Sequence, residues 1–285
     1  MRTENEIYSL ILETAKNDDR IKAVYMNGSR TNINAPKDIF QDYDIVYVVE
    51  NTQSFIDDKD WINVFGKILY MQYPDENPNY PSDKENSYGY LMQFADGVRI
   101  DLTLQTVDYA LRHIMEDRLC KILMDKENIL PEIGEATDCQ RWVKKPEKEQ
   151  YFAVCNEFWW CTNNVAKGLW RKEIPYVQDM VNYCVRPQLI TMLNWKAGIL
   201  TDWKVSTGKS SKYLYKWLSE EEWKMLLSTY FDGNVDNAWK SVFRMCELFD
   251  NTARLVGEKL GWEYNAQEGK TAWDFLEYVY RLQSV

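Results

Sequence analysis

The chain has 285 residues, 45% of them hydrophobic and 14% aromatic, enough for one large or two medium domains and too apolar for a disordered chain. Its formal net charge of −10 is unevenly spread: residues 1–145 carry 17 Lys and Arg against 26 Asp and Glu, and residues 146–285 carry 17 against 18. An acidic first half repels nucleic acid and attracts polycations, so the expected partner is a cationic small molecule and not a nucleic acid.

Glu4 to Lys16 spaces Ile7, Leu10, Ile11 and Ala15 as an amphipathic helix does. Ile21 to Met26 is predicted as a strand that runs into Gly28-Ser29, and Thr31 to Lys37 is a polar loop. Asp44 to Glu50, rich in Val, Ile and Tyr, is a second, buried strand. Asp60 to Phe65 is predicted as a helix and Leu69 to Tyr73 as a short strand. The Pro- and Asn-rich stretch from Pro74 to Ser87 must be loop. Tyr88 to Phe94 and Val98 to Leu104 form a hairpin with Asp96-Gly97 at its turn. Val107 to Met124 is predicted as a helix.

Irregular sequence around Pro131 to Pro146 places a domain boundary near residue 140. Beyond it strand signals vanish. Glu147 to Trp170 and Tyr176 to Leu200 carry apolar stripes, with Pro187 a predicted kink in the second. Ser219 caps a helix through Tyr230, with Glu222 three residues on. Val235 to Leu260 is a long helix closed by Gly261, and Thr271 to Leu282 is a last short one. The expected class is α+β: residues 1–140 with a mixed, mostly antiparallel sheet and flanking helices, then a helical bundle over 141–285.

Six cysteines lack any C-x₂-C spacing and His113 is the single histidine, which excludes the usual zinc sites and a Cys–His nucleophile pair. His113 is expected to be structural. With free thiols, no apolar leader at Met1-Arg-Thr-Glu and no run of about 20 apolar residues, a soluble cytoplasmic protein is expected. Ser206-Thr-Gly-Lys-Ser210 is not a phosphate-binding P-loop, because the first glycine of that motif would fall on Trp203.

The chemistry is concentrated before and within the sheet. Asp42 and Asp44 flank Tyr43 at the start of the second strand, and alternation puts both side chains on one face. Adjacent carboxylates repel and are costly to bury without a cation, and hard oxygen ligands at this spacing suit Mg²⁺ together with phosphates. Gly28-Ser29 precedes them at loop distance and offers small backbone donors to phosphate. A third carboxylate, Asp101, lies on the second hairpin strand.

Gly-Ser, then Asp-x-Asp, then a lone Asp on a later strand resembles the polymerase-β-like nucleotidyltransferases. Longer strings narrow this: Gly28-Ser-Arg-Thr-Asn32, Phe40-Gln-Asp-Tyr-Asp-Ile45, Ile100-Asp-Leu-Thr-Leu104, Cys155-Asn-Glu-Phe-Trp159 and Lys167-Gly-Leu-Trp-Arg-Lys-Glu173. Together, over residues 4 to about 261, they resemble the aminoglycoside 6-adenylyltransferases, bacterial enzymes that modify streptomycin. The resemblance implies AMP transfer from ATP to a hydroxyl, at position 6 of streptomycin, with release of pyrophosphate and resistance to the drug. Residues 1–140 would be the catalytic domain and 141–285 the helical substrate-binding domain, with substrate between them. Asp42 and Asp44 would hold Mg²⁺, and Gly28, Ser29 and Arg30 would contact the nucleotide. Asp101 would be base, second metal ligand, or both. Lys167 and Arg171 are either favourable charges at a helix end or a clamp for the triphosphate. Glu157 and Asp179 either pair with structural arginines or bind amines of the acceptor. Two other functions fit the same residues: adenylylation of another small alcohol such as a lincosamide, and a non-catalytic nucleotide- or drug-binding module. A binding module has no need of a third Asp. The expected assembly is a monomer or homodimer.

Overall fold

A computed structural model describes residues 1–282 of the chain, which divide into two compact units, Met1–Gln140 and Arg141–Val285. The first opens with α1 (Glu4–Asn17), whose start is fixed by Thr3 and Glu6: the Thr3 hydroxyl accepts from the Glu6 N–H, and the Glu6 carboxylate accepts from the Thr3 N–H. Six strands follow, β1 (Ile21–Asn27), β2 (Tyr43–Val49), β3 (Ile68–Gln72), β4 (Ser87–Phe94), β5 (Arg99–Thr106) and β6 (Cys120–Asp125). They form one sheet in the order β3-β4-β5-β2-β1-β6. Only the β2–β5 pair among these is parallel. The short helices α2 (Gln53–Ile56) and α3 (Val107–His113) complete the unit, and Trp61–Phe65 is a tight 3₁₀ turn where a helix was expected.

Strand alternation sorts the sheet into two unequal faces. Tyr43, Ile45, Tyr47 and Val49 of β2 and Ile100, Leu102 and Leu104 of β5 join Ile7 and Ile11 of α1 in the larger core. Val46 and Val48 face the other way, into a smaller cluster with Ala23, Tyr25 and Ala110. Asp42 and Asp44 share the parity of Val46 and Val48 on β2, and Asp101 shares the thinly covered face from β5. The large core thus fixes the strands, and the opposite face carries the charge.

The helix expected over 107–124 is corrected by the structure. It stops at His113, and Cys120–Asp125 becomes β6, antiparallel to β1. This edge strand has no clean alternation: Ile122 packs on the small core while its neighbours Leu123 and Met124 both lie against the large one. Pairing with β1 overrides the helix preference of Lys, Leu and Met there.

The second unit has no strand among its described residues. It comprises α4 (Lys148–Trp170), α5 (Ile174–Asp179), α6 (Arg186–Leu200), α7 (Glu220–Leu227), α8 (Val235–Leu260) and α9 (Ala266–Arg281). Between α5 and α6, Met180–Val185 is wound as a π-helix, and Pro187 follows in the first turn of α6. The predicted kink is therefore a widened turn just before the proline, which has no N–H to give to the turn behind it. α4 packs on α9 and α6 on α8 around one core, in which Phe158 stacks on Phe249 with ring centroids 3.7 Å apart. α9 begins earlier than predicted, because Asn265 caps it by accepting from the Glu268 N–H. Within the described residues no helix is long and apolar enough to cross a membrane.

Candidate functional site

β1 and β2 bring the two ends of the site together. Asn27 pairs with Asp44 across the ladder, so the turn that follows β1 lands beside that carboxylate. Gly28 takes a φ of +78°, and a Cβ on it would stand 2.1 Å from Asp44 Oδ2. Both the backbone and the contact therefore demand glycine. Ser29 to Thr31 make one tight turn, held by the Thr31 hydroxyl donating to the Gly28 carbonyl at 2.8 Å.

On the other side, the parallel register sets Asp44 directly against Asp101. Asp42, Asp44 and Asp101 thus come to one face at one end of two neighbouring strands. Crowding has an electrostatic signature. Burial, and then the Asp101 and Asp42 charges, push the Asp44 carboxyl up to about 6 from an ordinary 3.8. Asp42 is also raised, chiefly by burial, with Arg99 acting in the opposite direction.

Arg99 is the residue that sequence reasoning missed. It stands two positions before Asp101 on β5, hence on the same face, and it forks onto that carboxylate with Nε at 2.8 Å and Nη2 at 2.7 Å. Its Nε also lies 3.7 Å from Asp42. Strand parity alone held this signal. The loop after Ser29 is tied to the end of the unit by the side-chain amides of Asn32 and Asn34, which donate to the buried Asp138 at 3.5 and 3.3 Å.

Arg30 belongs to this region but faces the protein itself. It donates to the carbonyls of Asp42 at 3.1 Å and Gln41 at 2.8 Å, pairs with Glu4 and lies 3.6 Å from the Tyr43 ring centroid. As placed, it clamps the segment that carries Asp42; contact with a nucleotide would require these bonds to be exchanged.

Among the described residues no three His, Cys, Asp or Glu side chains converge closely enough to enclose a metal by themselves. Asp101 is turned to Arg99. Mg²⁺, however, is commonly held by one or two carboxylates completed by water and phosphate oxygens. Asp42 and Asp44, hard donors on one face with Asp44 disfavoured as a bare anion, fit such an ion.

The remaining candidates sit in the helical unit. Glu157 is exposed on α4, where its carboxylate accepts from the Cys161 thiol at 3.3 Å. Asp179 is exposed at the end of α5, next to the π-helical turn. Arg171 is exposed and 3.9 Å from Glu173. Lys167 lines an open groove of about 690 Å³ with Trp159, Trp160, Asn163, Glu268 and Phe275. Lys172, just past the Arg171 cap of α4, takes a left-handed conformation with φ of 61°. His113 packs against Tyr109 and bonds Glu116 at 2.8 Å, a structural setting.

The streptomycin adenylyltransferase family model matches residues 1–279. The chain belongs to that family. An aminoglycoside 6-adenylyltransferase of Bacillus subtilis is 38% identical over 265 residues, covering 93% of each chain. Another, from Campylobacter jejuni, is 37% identical and covers 95% of this chain and 93% of its own. A solved structure of the Bacillus subtilis aminoglycoside 6-adenyltransferase covers 98% of this chain at 32% identity, with a TM-score of 0.48. The family match over residues 1–279 takes in residues of both units.

Proposed function

We propose that the protein transfers AMP from ATP to a hydroxyl of an aminoglycoside, position 6 of streptomycin, and releases pyrophosphate. The observation that carries this is the register: Asp44 lies opposite Asp101 on β5, with Gly28 packed against Asp44 from the β1 side. One turn and two strands so present a close-approach backbone, two ligand carboxylates and a third carboxylate at one place.

In this reading Asp42 and Asp44 hold Mg²⁺, which when bound neutralises the triphosphate and makes its α-phosphorus more electrophilic. The Gly28–Ser29 turn takes the phosphate oxygens, since glycine lets the backbone approach them. Arg30 fixes Gln41 and Asp42 and so positions the first ligand. Asp101 accepts the proton of the acceptor hydroxyl, whose oxygen forms the new bond to phosphorus as the bond to the pyrophosphate oxygen breaks. Glu157 and Asp179 are assigned to the amines and guanidinium groups of the acceptor, and Lys167 and Arg171 to the triphosphate. Units 1–140 and 141–285 act as the nucleotidyltransferase and acceptor-binding parts of a resistance enzyme.

The direct test is incubation with Mg²⁺, ATP and a panel of aminoglycosides and lincosamides, followed by mass spectrometry. A product of streptomycin heavier by one AMP moiety is expected. AMP on a lincosamide alone moves the acceptor to another class. No adduct on any acceptor, from folded protein that still binds ATP, leaves the binding-module function in its place.

A further inference from the structure

Three carboxylates on one sheet face need positive charge nearby, and the protein supplies it from an unexpected place. The guanidinium of Arg99 forks onto Asp101 at 2.7 and 2.8 Å and reaches within 3.7 Å of Asp42. Arg30 is not a substitute, because its donors go to main-chain carbonyls and Glu4. A planar fork on a carboxylate is among the strongest charge-assisted contacts a side chain makes. It also occupies both oxygens of Asp101, the atoms that a metal or an acceptor proton would use.

We infer that Arg99 is the resident counter-cation of the carboxylate trio: it holds Asp101 and Asp42 in the metal-free protein, and a divalent cation enters by displacing it. The inference rests on the reading of Asp42 and Asp44 as metal ligands. Arg99 is suited to the exchange. Its side chain is 42% exposed, against 18% for Asp101, so the guanidinium can swing out on its long stem while the carboxylate stays in place. Its anchor is β5, whose opposite face is packed in the large core, so the strand need not move. Arg99 then acts as a positioning residue that competes with metal. A simple strut for Asp101 would instead assist metal binding.

The two roles differ in sign. Mn²⁺ binding to the full-length protein, followed by the loss of the free-ion electron paramagnetic resonance signal, separates them without any reference to turnover. Asp44→Asn first checks the metal site itself and is expected to weaken Mn²⁺ binding at least ~10-fold. Arg99→Gln is expected to tighten binding by ~10-fold or more, the order for removing a unit charge beside a divalent ion in half-solvated surroundings. Arg99→Lys, which keeps the charge but loses the fork, should fall between wild type and Arg99→Gln. A thermal melt should also show saturating Mn²⁺ stabilising Arg99→Gln more than wild type. If Asp44→Asn weakens binding but Arg99→Gln leaves it equal or weaker, Arg99 is a strut and the inference fails while the metal assignment stands. If Asp44→Asn changes nothing, or no variant binds Mn²⁺, the metal assignment fails and Arg99 has nothing to exchange with.

Discussion

Asp44 sits between the Gly28 turn and Asp101, and its protonation is linked to the stability of the fold. Burial, and then two carboxylate neighbours, push its carboxyl up to about 6 in the folded protein from the ordinary 3.8. A raised folded value means a stabilising contribution that is complete below about pH 4 and is lost as pH rises through about 6. In metal-free buffer the melting temperature of Asp44→Asn should therefore rise relative to wild type between pH 4 and pH 7, with little difference at the acid end. Melts in EDTA across that range check it; a gap that stays constant with pH, or an Asn variant that is less stable at pH 7, contradicts it. Asp42, Asp44 and Asp101 were legible in the sequence because a period of two fixes the face of a strand residue. The same rule covered Arg99, two residues from Asp101, yet a cation beside a carboxylate looks ordinary on a strand of unknown partners. Arg30 was less legible: its bonds to Gln41 and Asp42 depend on a loop folding back over a dozen residues, and no local pattern encodes that.

Elements show where local pattern suffices and where it does not. α8 was readable to its last residue, since Gly261 closes it in a left-handed conformation with φ of 74°. Nothing lies within 4 Å of a Cβ built there, so Gly261→Ala should cost only the backbone term, about 1 kcal/mol. Gly257, one turn earlier, is different in kind. A Cβ there would meet the Tyr151 hydroxyl at 2.6 Å and the Trp262 carbonyl at 2.8 Å. That hydroxyl already bonds the Ala253 carbonyl, and the Trp262 N–H bonds the Gly257 carbonyl, so neither neighbour can retreat freely. Gly257→Ala should cost more, about 2–3 kcal/mol. Urea unfolding of the two variants ranks them, and the opposite order would refute the packing argument. β6 was unreadable for a related reason: its structure comes from pairing with β1, far back in the chain, and not from its own helix-forming residues. The π-helical turn at Met180–Val185 was visible only as Pro187; a single proline marks the place of an irregularity but not its form.

At the scale of the molecule, charge and architecture agree. The excess acidity lies in residues 1–145, the part that contains the carboxylate trio, while the rest is nearly balanced. A net negative field around the carboxylates favours a strongly cationic acceptor, which is the kind the proposed function calls for. The α+β class was legible because hydrophobic period changes from two to 3.6 near residue 140, where the chain also divides into its two compact units. Under the proposed function, the carboxylates brought together by β2 and β5 carry out AMP transfer. Its most direct test is the initial rate of AMP transfer from Mg-ATP to streptomycin by wild type and Asp44→Asn, with circular dichroism confirming that both are folded. Steady transfer by wild type and a loss of ~10³-fold or more in the variant are expected if Asp44 is a metal ligand as proposed. Transfer by folded Asp44→Asn at the wild-type rate would contradict it.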